Sequence, residues 1–68
     1  MEATDYGELL QELRRVRGWT QEATAELFGT RAQTVSNWER GVYNMGGPAI
    51  QLLKRLVTEA GLRWPAIG

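Results

Sequence analysis

The stretch Thr20 to Gly41, TQEATAELFGTRAQTVSNWERG, decides how the rest of this chain folds. It predicts two short helices joined by a tight turn at Gly29, because glycine adopts the backbone geometry that such a turn requires. The first helix is expected over residues 21–28, with Thr20 as its N-cap. The second is expected over residues 31–40, and Gly41 follows it as a stop signal.

The helix predicted over residues 31–40 has two chemically different sides. At about 100° per residue, Val35 and Trp38 fall on one side, which is the side that a helix buries. The other side carries amide, hydroxyl and guanidinium groups, whereas an ordinary solvated face is more often a mixture of Glu and Lys. Glutamine and asparagine can bind adenine edges through two hydrogen bonds, and arginine can bind guanine in the same way. The candidate DNA-reading surface therefore consists of Gln33, Ser36, Asn37 and Arg40, with a plain solvated face as the alternative.

The charge of the chain is balanced but unevenly distributed. Eight basic and eight acidic residues cancel, unlike the positive balance of a nonspecific nucleic-acid coat. Residues 1–26 hold six acids and three arginines, whereas residues 27–58 hold four basic residues against Glu39 alone. The helix over residues 31–40 is thus locally basic, while the neutral total is the weakest point of a DNA-binding interpretation.

Length and composition exclude several classes of protein. Sixty-eight residues allow one domain, here residues 1–68, with a small core. The chain has no cysteine and no histidine, so it has no disulfide framework and lacks the usual zinc ligands. We expect no metal, no cofactor and no enzymatic activity, because a glycine-rich phosphate loop and paired carboxylates are also missing. No signal peptide and no apolar run of about 18 residues is visible, so the cytoplasm is the expected compartment, with no membrane partner.

Two further helices are expected on either side of the central pair. The first spans residues 6–17, after a reciprocal cap between Asp5 and Glu8. The last spans residues 48–60, with Pro48 at its first position. Apolar residues recur at helical spacing on one face of each helix. These inner faces are Tyr6, Leu9, Leu10, Leu13 and Val16 in the first helix, and Ile50, Leu53, Leu56, Val57 and Ala60 in the last.

The tail over residues 61–68 is more apolar than a solvated tail needs to be. Trp64 and Ile67 are expected to dock either on their own domain or on a second copy of the chain. In the second case, a dimer seam is expected to comprise Val57, Leu62, Trp64 and Ile67.

Several positions at fixed spacing resemble the lambda-repressor-like, or XRE-type, helix-turn-helix family. They are Arg14, the TQ at Thr20 and Gln21, Ala25, Gly29, Val35, WERG at Trp38 to Gly41, GGPA at Gly46 to Ala49 and LLKRL at Leu52 to Leu56. The similarity covers about residues 8–57. It implies an all-α, compact four-helix domain with a short C-terminal tail, acting as a bacterial or phage transcriptional regulator that binds operator DNA as a homodimer.

The resemblance also implies roles for individual residues. The start and outer face of the second helix of the pair enter the major groove, where Ala32 can offer only a methyl contact to thymine. An ion pair between Arg14 and Glu39 is implied as well. Base contacts are expected from Arg31, Ala32, Gln33, Ser36 and Asn37, and phosphate contacts from Gln21, Arg40, Tyr43 and Asn44.

Two positions depart from the family pattern. The family usually places an aliphatic residue where Thr24 stands, and the Thr24 hydroxyl is expected to bond a carbonyl one turn back. The family often has Ser or Thr where Arg31 stands. Without that cap, a capping box between Thr30 and Gln33 is the alternative start of the helix.

Three functions of different classes fit these residues. The leading one is a DNA-binding repressor or autoregulator that reads an inverted repeat, with half-sites about 34 Å apart. The second is a protein-interaction module on the same fold, either antitoxin-like or a phage factor that binds a protein partner. The third is an oligomeric adaptor that uses the last helix and the tail.

Overall fold

The computed structural model of the protein describes residues 6–64, and this part of the chain contains four helices and no strand. The helices are α1 (Tyr6–Arg17), α2 (Gln21–Phe28), α3 (Ala32–Glu39) and α4 (Gly47–Glu59). The predicted all-α class is confirmed. No helix within residues 6–64 is long and apolar enough to cross a lipid bilayer.

The core lies where α1 meets α3 and α4, and α2 closes it by packing against α3. Each helix contributes side chains that its apolar spacing predicts, and the loop before α4 adds Met45, which the sequence analysis did not predict. Val16 was wrongly placed in the core. It lies at the edge of the α1 stripe and is 48% exposed. The buried apolar residues are Leu10, Leu13, Ala25, Val35, Met45, Leu53 and Val57.

The start of α2 satisfies its own backbone groups. Thr20 is the N-cap, and its Oγ1 accepts a hydrogen bond of 3.0 Å from the backbone N–H of Ala23. Thr24 is fully buried, and its hydroxyl donates to the carbonyl of Thr20 at 2.8 Å. The hydrogen bond predicted for Thr24 is thus confirmed. It satisfies the buried hydroxyl at a position where the family usually has an aliphatic residue.

The turn between α2 and α3 depends on Gly29, whose φ of 68° is left-handed. This conformation lets the N–H of Thr30 bond the carbonyl of Ala25 at 2.9 Å, which ends α2. The predicted capping box of Thr30 and Gln33 is wrong. Arg31 is the N-cap of α3, so Gln33 stands one position too early to complete such a box.

Helix α3 is one residue shorter at each end than predicted. Arg40 is its C-cap, and Gly41 follows with a φ of 76°. The N–H of Val42 bonds the carbonyl of Asn37 at 2.9 Å, and that of Gly41 bonds Trp38 at 3.2 Å. This pair of bonds is a Schellman ending, and it fixes the direction in which the chain leaves α3.

The last helix also differs slightly from the prediction, because it begins at Gly47 rather than at Pro48 and ends at Glu59. Beyond it, Leu62 packs against the core. Trp64 stacks on Tyr6 with ring centroids 5.7 Å apart, so it docks on its own domain. Val57 was wrongly assigned to a dimer seam, because it is fully buried inside the protomer. Ile67 and the Asp5 half of the predicted α1 cap lie outside the described residues.

Candidate nucleic-acid interface

The buried side of α3 is held against α2 by aromatic packing. Trp38 meets Phe28 edge to face, with ring centroids 5.7 Å apart and an interplanar angle of 64°. Val35, one turn earlier, is fully buried. This packing leaves the opposite side of α3 facing outward, as its amphipathic spacing predicted.

Glu39, the last residue of α3, forms an ion pair with Arg14. The Glu39 side chain is only 4% exposed, and the Arg14 side chain is 25% exposed. The Arg14 Nε donates to Glu39 Oε2 at 2.6 Å, and the Nη2 donates to Oε1 at 3.0 Å. This two-pronged geometry matches the planar guanidinium to the carboxylate. The ion pair that the resemblance implied is therefore present.

Two glutamines complete the environment of Glu39. Gln21 donates from Nε2 to Glu39 Oε1 at 3.0 Å, and Gln11 donates from Nε2 to the backbone carbonyl of Glu39 at 3.1 Å. We refer to Arg14, Gln21 and Glu39 as the buried network. The contribution of Gln11 was not predicted, although its position three residues before Arg14 places both side chains on one face of α1.

The buried network also affects the protonation of Arg14. The hydrogen bond to Glu39 raises the pKa of Arg14 most; burial opposes the shift, and attraction to Glu39 and Glu22 adds to it. The pKa therefore lies above its already high ordinary value. Because the folded pKa is raised, the contribution of the Arg14 charge to stability is lost only when the pH rises above the ordinary arginine range.

The burial of Glu39 determines the charge of the candidate interface. Glu39 is the only carboxylate in residues 29–46, and Arg14 neutralises it inside the protein. The same segment exposes Arg31 and Arg40 to solvent. The outer side of α3 is therefore locally positive even though the whole chain has a net charge of zero.

Three polar residues on the outer side of α3 form a second cluster, which we call the surface network. Gln33 donates from Nε2 to Asn37 Oδ1 at 3.2 Å. Arg40 donates from Nη2 to the same oxygen at 3.0 Å. The network thus consists of Gln33, Asn37 and Arg40, with the Asn37 carbonyl at its centre.

The remaining predicted contact residues surround the surface network without joining it through side-chain hydrogen bonds. Arg31, Tyr43 and Asn44 are exposed, and Ala32 and Ser36 are partly buried. Tyr43 is 62% exposed. Gln21 is the exception, because it is partly buried and already donates to Glu39. Within residues 6–64, no cluster of acidic residues has the arrangement of a metal site.

The family model described as Helix-turn-helix matches residues 10–62, which include all four helices except the first turn of α1. No curated protein and no solved structure matches the chain.

Proposed function

The chain belongs to the lambda-repressor-like, or XRE-type, helix-turn-helix family, a DNA-binding regulatory domain, and on that premise we propose that it is a repressor or autoregulator of transcription. It binds double-stranded DNA sequence-specifically and inserts the outer side of α3 into the major groove. It needs no cofactor and catalyses no reaction.

The observation that carries this proposal is the division of charge across α3. The carboxylate of Glu39 is buried and paired, while amides and two arginines face outward. Phosphate binding rests on such positive charge, and amides supply the donors and acceptors that distinguish base edges. The outer side of α3 offers both.

The individual roles follow from position on that surface. Base contacts come from the start and outer side of α3, and phosphate contacts come from the loop after it and from the start of α2. Gln21 keeps one amide N–H for a phosphate, since its Nε2 donates once to Glu39. The base-contacting set is Arg31, Ala32, Gln33, Ser36 and Asn37, and the phosphate-contacting set is Gln21, Arg40, Tyr43 and Asn44.

We further propose that the protein binds as a homodimer to an inverted repeat. Two-fold symmetry places two copies of α3 about 34 Å apart, one turn of the DNA helix. With Val57 fully buried, the proposed seam uses the solvent-facing parts of Leu62 and Trp64, which their own domain buries only in part, together with Ile67.

Selection of bound sequences from a random DNA pool tests the proposal. We expect an inverted repeat whose half-sites are separated by about one helical turn. Gel shifts of the selected site then give the affinity at several salt concentrations. Specific binding should weaken linearly in log salt, with a slope of about −0.9 for each phosphate contacted.

A matched pair of glutamine variants tests the reading surface. Gln33→Ala removes an exposed amide from α3, and Gln51→Ala removes an exposed amide from α4. We expect Gln33→Ala to relax discrimination among operator variants by about 1–3 kcal/mol, and Gln51→Ala to leave it unchanged. Equal effects of the two variants would disprove the role of Gln33.

The same experiments distinguish DNA binding from the alternative function, which is a protein-interaction module on this fold. The neutral net charge of the chain favours that alternative. If the selection returns no enriched site and binding to random DNA is absent even at low salt, the DNA-binding proposal is wrong. An apolar protein contact also lacks the steep salt dependence of phosphate binding.

A further inference from the structure

We propose that Arg40 determines sequence specificity through Asn37, by holding the Asn37 amide so that only its N–H donors face the DNA. This inference rests on the proposed function and assigns to Asn37 a preference for one class of base. Arg40 is a positioning residue in this account, because it acts on the base through another side chain.

The orientation of the Asn37 amide follows from the chemistry of its neighbour. A guanidinium carries N–H donors and no acceptor, so the Asn37 atom that faces Arg40 Nη2 at 3.0 Å must be the carbonyl oxygen. Gln33 donates to the same oxygen at 3.2 Å. A carbonyl oxygen has two lone pairs, and these two donors occupy both.

The backbone around Arg40 keeps this arrangement in place. Arg40 is the C-cap of α3, and its N–H bonds the carbonyl of Ser36 at 3.0 Å. Gly41 and Val42 then close the Schellman ending. The Arg40 side chain therefore starts from a fixed point three residues after Asn37, which is the spacing at which side chains on a helix meet.

An amide held in this way distinguishes two classes of base. With its oxygen occupied, Asn37 offers the two N–H groups of Nδ2 and no acceptor. In the major groove, guanine and thymine present keto oxygens, whereas adenine and cytosine present amino groups. Two donors attract a keto oxygen and oppose an amino group, so Asn37 favours guanine over adenine, or thymine over cytosine.

Gln33 is predicted to behave differently from Asn37 within the same network. It uses one N–H of Nε2 for Asn37 and keeps its carbonyl oxygen and a second N–H. This combination of one acceptor and one donor suits adenine, which presents the N6 amino group and N7. The surface network thus gives two amide side chains opposite preferences.

The test compares variants of the surface network with a charge-matched control on α4. Operators selected by the wild-type protein and by Asn37→Ala identify the base pair that Asn37 contacts. Arg40→Met removes the donors beside Asn37, and Arg55→Met removes the same charge from an exposed position on α4, outside the proposed contact residues. Affinities are measured for operators that carry a keto or an amino base at the Asn37 position.

The wild-type protein and Arg55→Met should prefer the keto base by about 10-fold at that position. Arg40→Met should reduce this preference to about 2-fold or less, because the freed Asn37 oxygen can accept from an amino group. Arg40→Lys keeps a donor and should retain part of the preference. In the double variant that combines Asn37→Ala with Arg40→Met, the keto preference should equal that of Asn37→Ala alone, since both residues act at one contact.

The possible results are distinguishable. A uniform loss of affinity in Arg40→Met, with the keto preference intact, overturns this inference and leaves the proposed DNA binding standing. An amino-base preference in the wild-type protein overturns it as well. A wild-type protein that selects no DNA sequence overturns the proposed function and the inference together. Circular dichroism of Arg40→Met verifies that the variant is folded before its affinities are compared.

Discussion

The two polar networks of α3 are built from similar groups in opposite surroundings. In each, an arginine and a glutamine donate to one oxygen-bearing side chain of the helix. The acceptor of the buried network is 4% exposed, whereas the members of the surface network lie on the outer side of α3. The members are Arg14, Gln21 and Glu39 in the buried network, and Arg40, Gln33 and Asn37 in the surface network.

The difference in the acceptor explains what each network does. Glu39 is a carboxylate, and an unpaired buried charge is strongly destabilising, so its donors stabilise the fold. Asn37 is a neutral amide at the surface, where water can replace either donor at little cost in stability. The donors to Asn37 instead fix the orientation of its amide, because they determine whether its oxygen or its N–H groups face a binding partner.

The largest expected effect breaks the buried network. Arg14→Met strands the carboxylate of Glu39 and should lower the free energy of unfolding by about 3–5 kcal/mol. Arg40→Met is the matched substitution in the surface network, and it should change the free energy of unfolding by no more than about 0.5 kcal/mol. Urea denaturation followed by circular dichroism measures both.

A loss of this size is a large part of the stability of a small domain, so a milder variant, Glu39→Gln, is measured beside Arg14→Met. Glu39→Gln keeps the shape of the acceptor, removes its charge, and should cost about 1–3 kcal/mol. If Arg14→Met and Arg40→Met destabilise the protein equally, the distinction between the two networks is wrong.

The buried side of the molecule could largely be predicted from sequence, and the reason is physical. Apolar spacing placed Leu10, Leu13 and Leu53 in the core, because burial of a helix face follows a period that the sequence displays. Met45 was missed, since a loop residue has no such period. The start of α3 was wrong by one residue, because Arg31 stands where a recognisable cap residue is usual. Its end was wrong by one residue because Arg40 is the C-cap and not the last helical residue.

The next largest effect on the free energy of unfolding is expected from the glutamines of the two networks. Gln21→Ala removes a hydrogen bond to a buried carboxylate and should cost about 1.5–3 kcal/mol in the free energy of unfolding. Gln33→Ala removes an exposed bond of 3.2 Å and should stay within about 0.5 kcal/mol of the wild-type value. Denaturation curves measured side by side test this difference, and a greater loss in Gln33→Ala would reverse the assignment.

The candidate interface was less predictable than the core. The helical wheel placed Gln33, Asn37 and Arg40 on one side, since only the period matters for that assignment. It gave no information on which atoms they offer, because an amide can present either end. The hydrogen bonds from Gln33 and Arg40 resolve that choice for Asn37, and they depend on side-chain positions that no spacing rule contains.

The smallest effect is expected at the N-caps of α2 and α3. Helix α2 carries Gln21 of the buried network, and α3 carries the two amides of the surface network. Thr20 accepts a cap bond from Ala23, whereas Arg31, with φ −110° and ψ 155°, has the backbone of a cap and makes no such bond. Thr20→Ala should therefore cost about 1 kcal/mol, and Arg31→Ser should gain about 0.5–1 kcal/mol.

The gain in Arg31→Ser should come with weaker DNA binding, because the variant loses a positive charge beside the major groove. Because Arg31 belongs to the base-contacting set, discrimination at one base pair of the selected operator should relax by about 1–3 kcal/mol. Thr20→Ala is the control, since it changes a cap without changing charge. If Arg31→Ser is less stable than the wild-type protein, Arg31 contributes to folding through a contact that its exposed position does not explain. If Arg31→Ser is more stable than the wild-type protein and binds DNA with unchanged affinity, Arg31 has no role at the interface. The DNA-contacting surface of α3 then starts at Gln33.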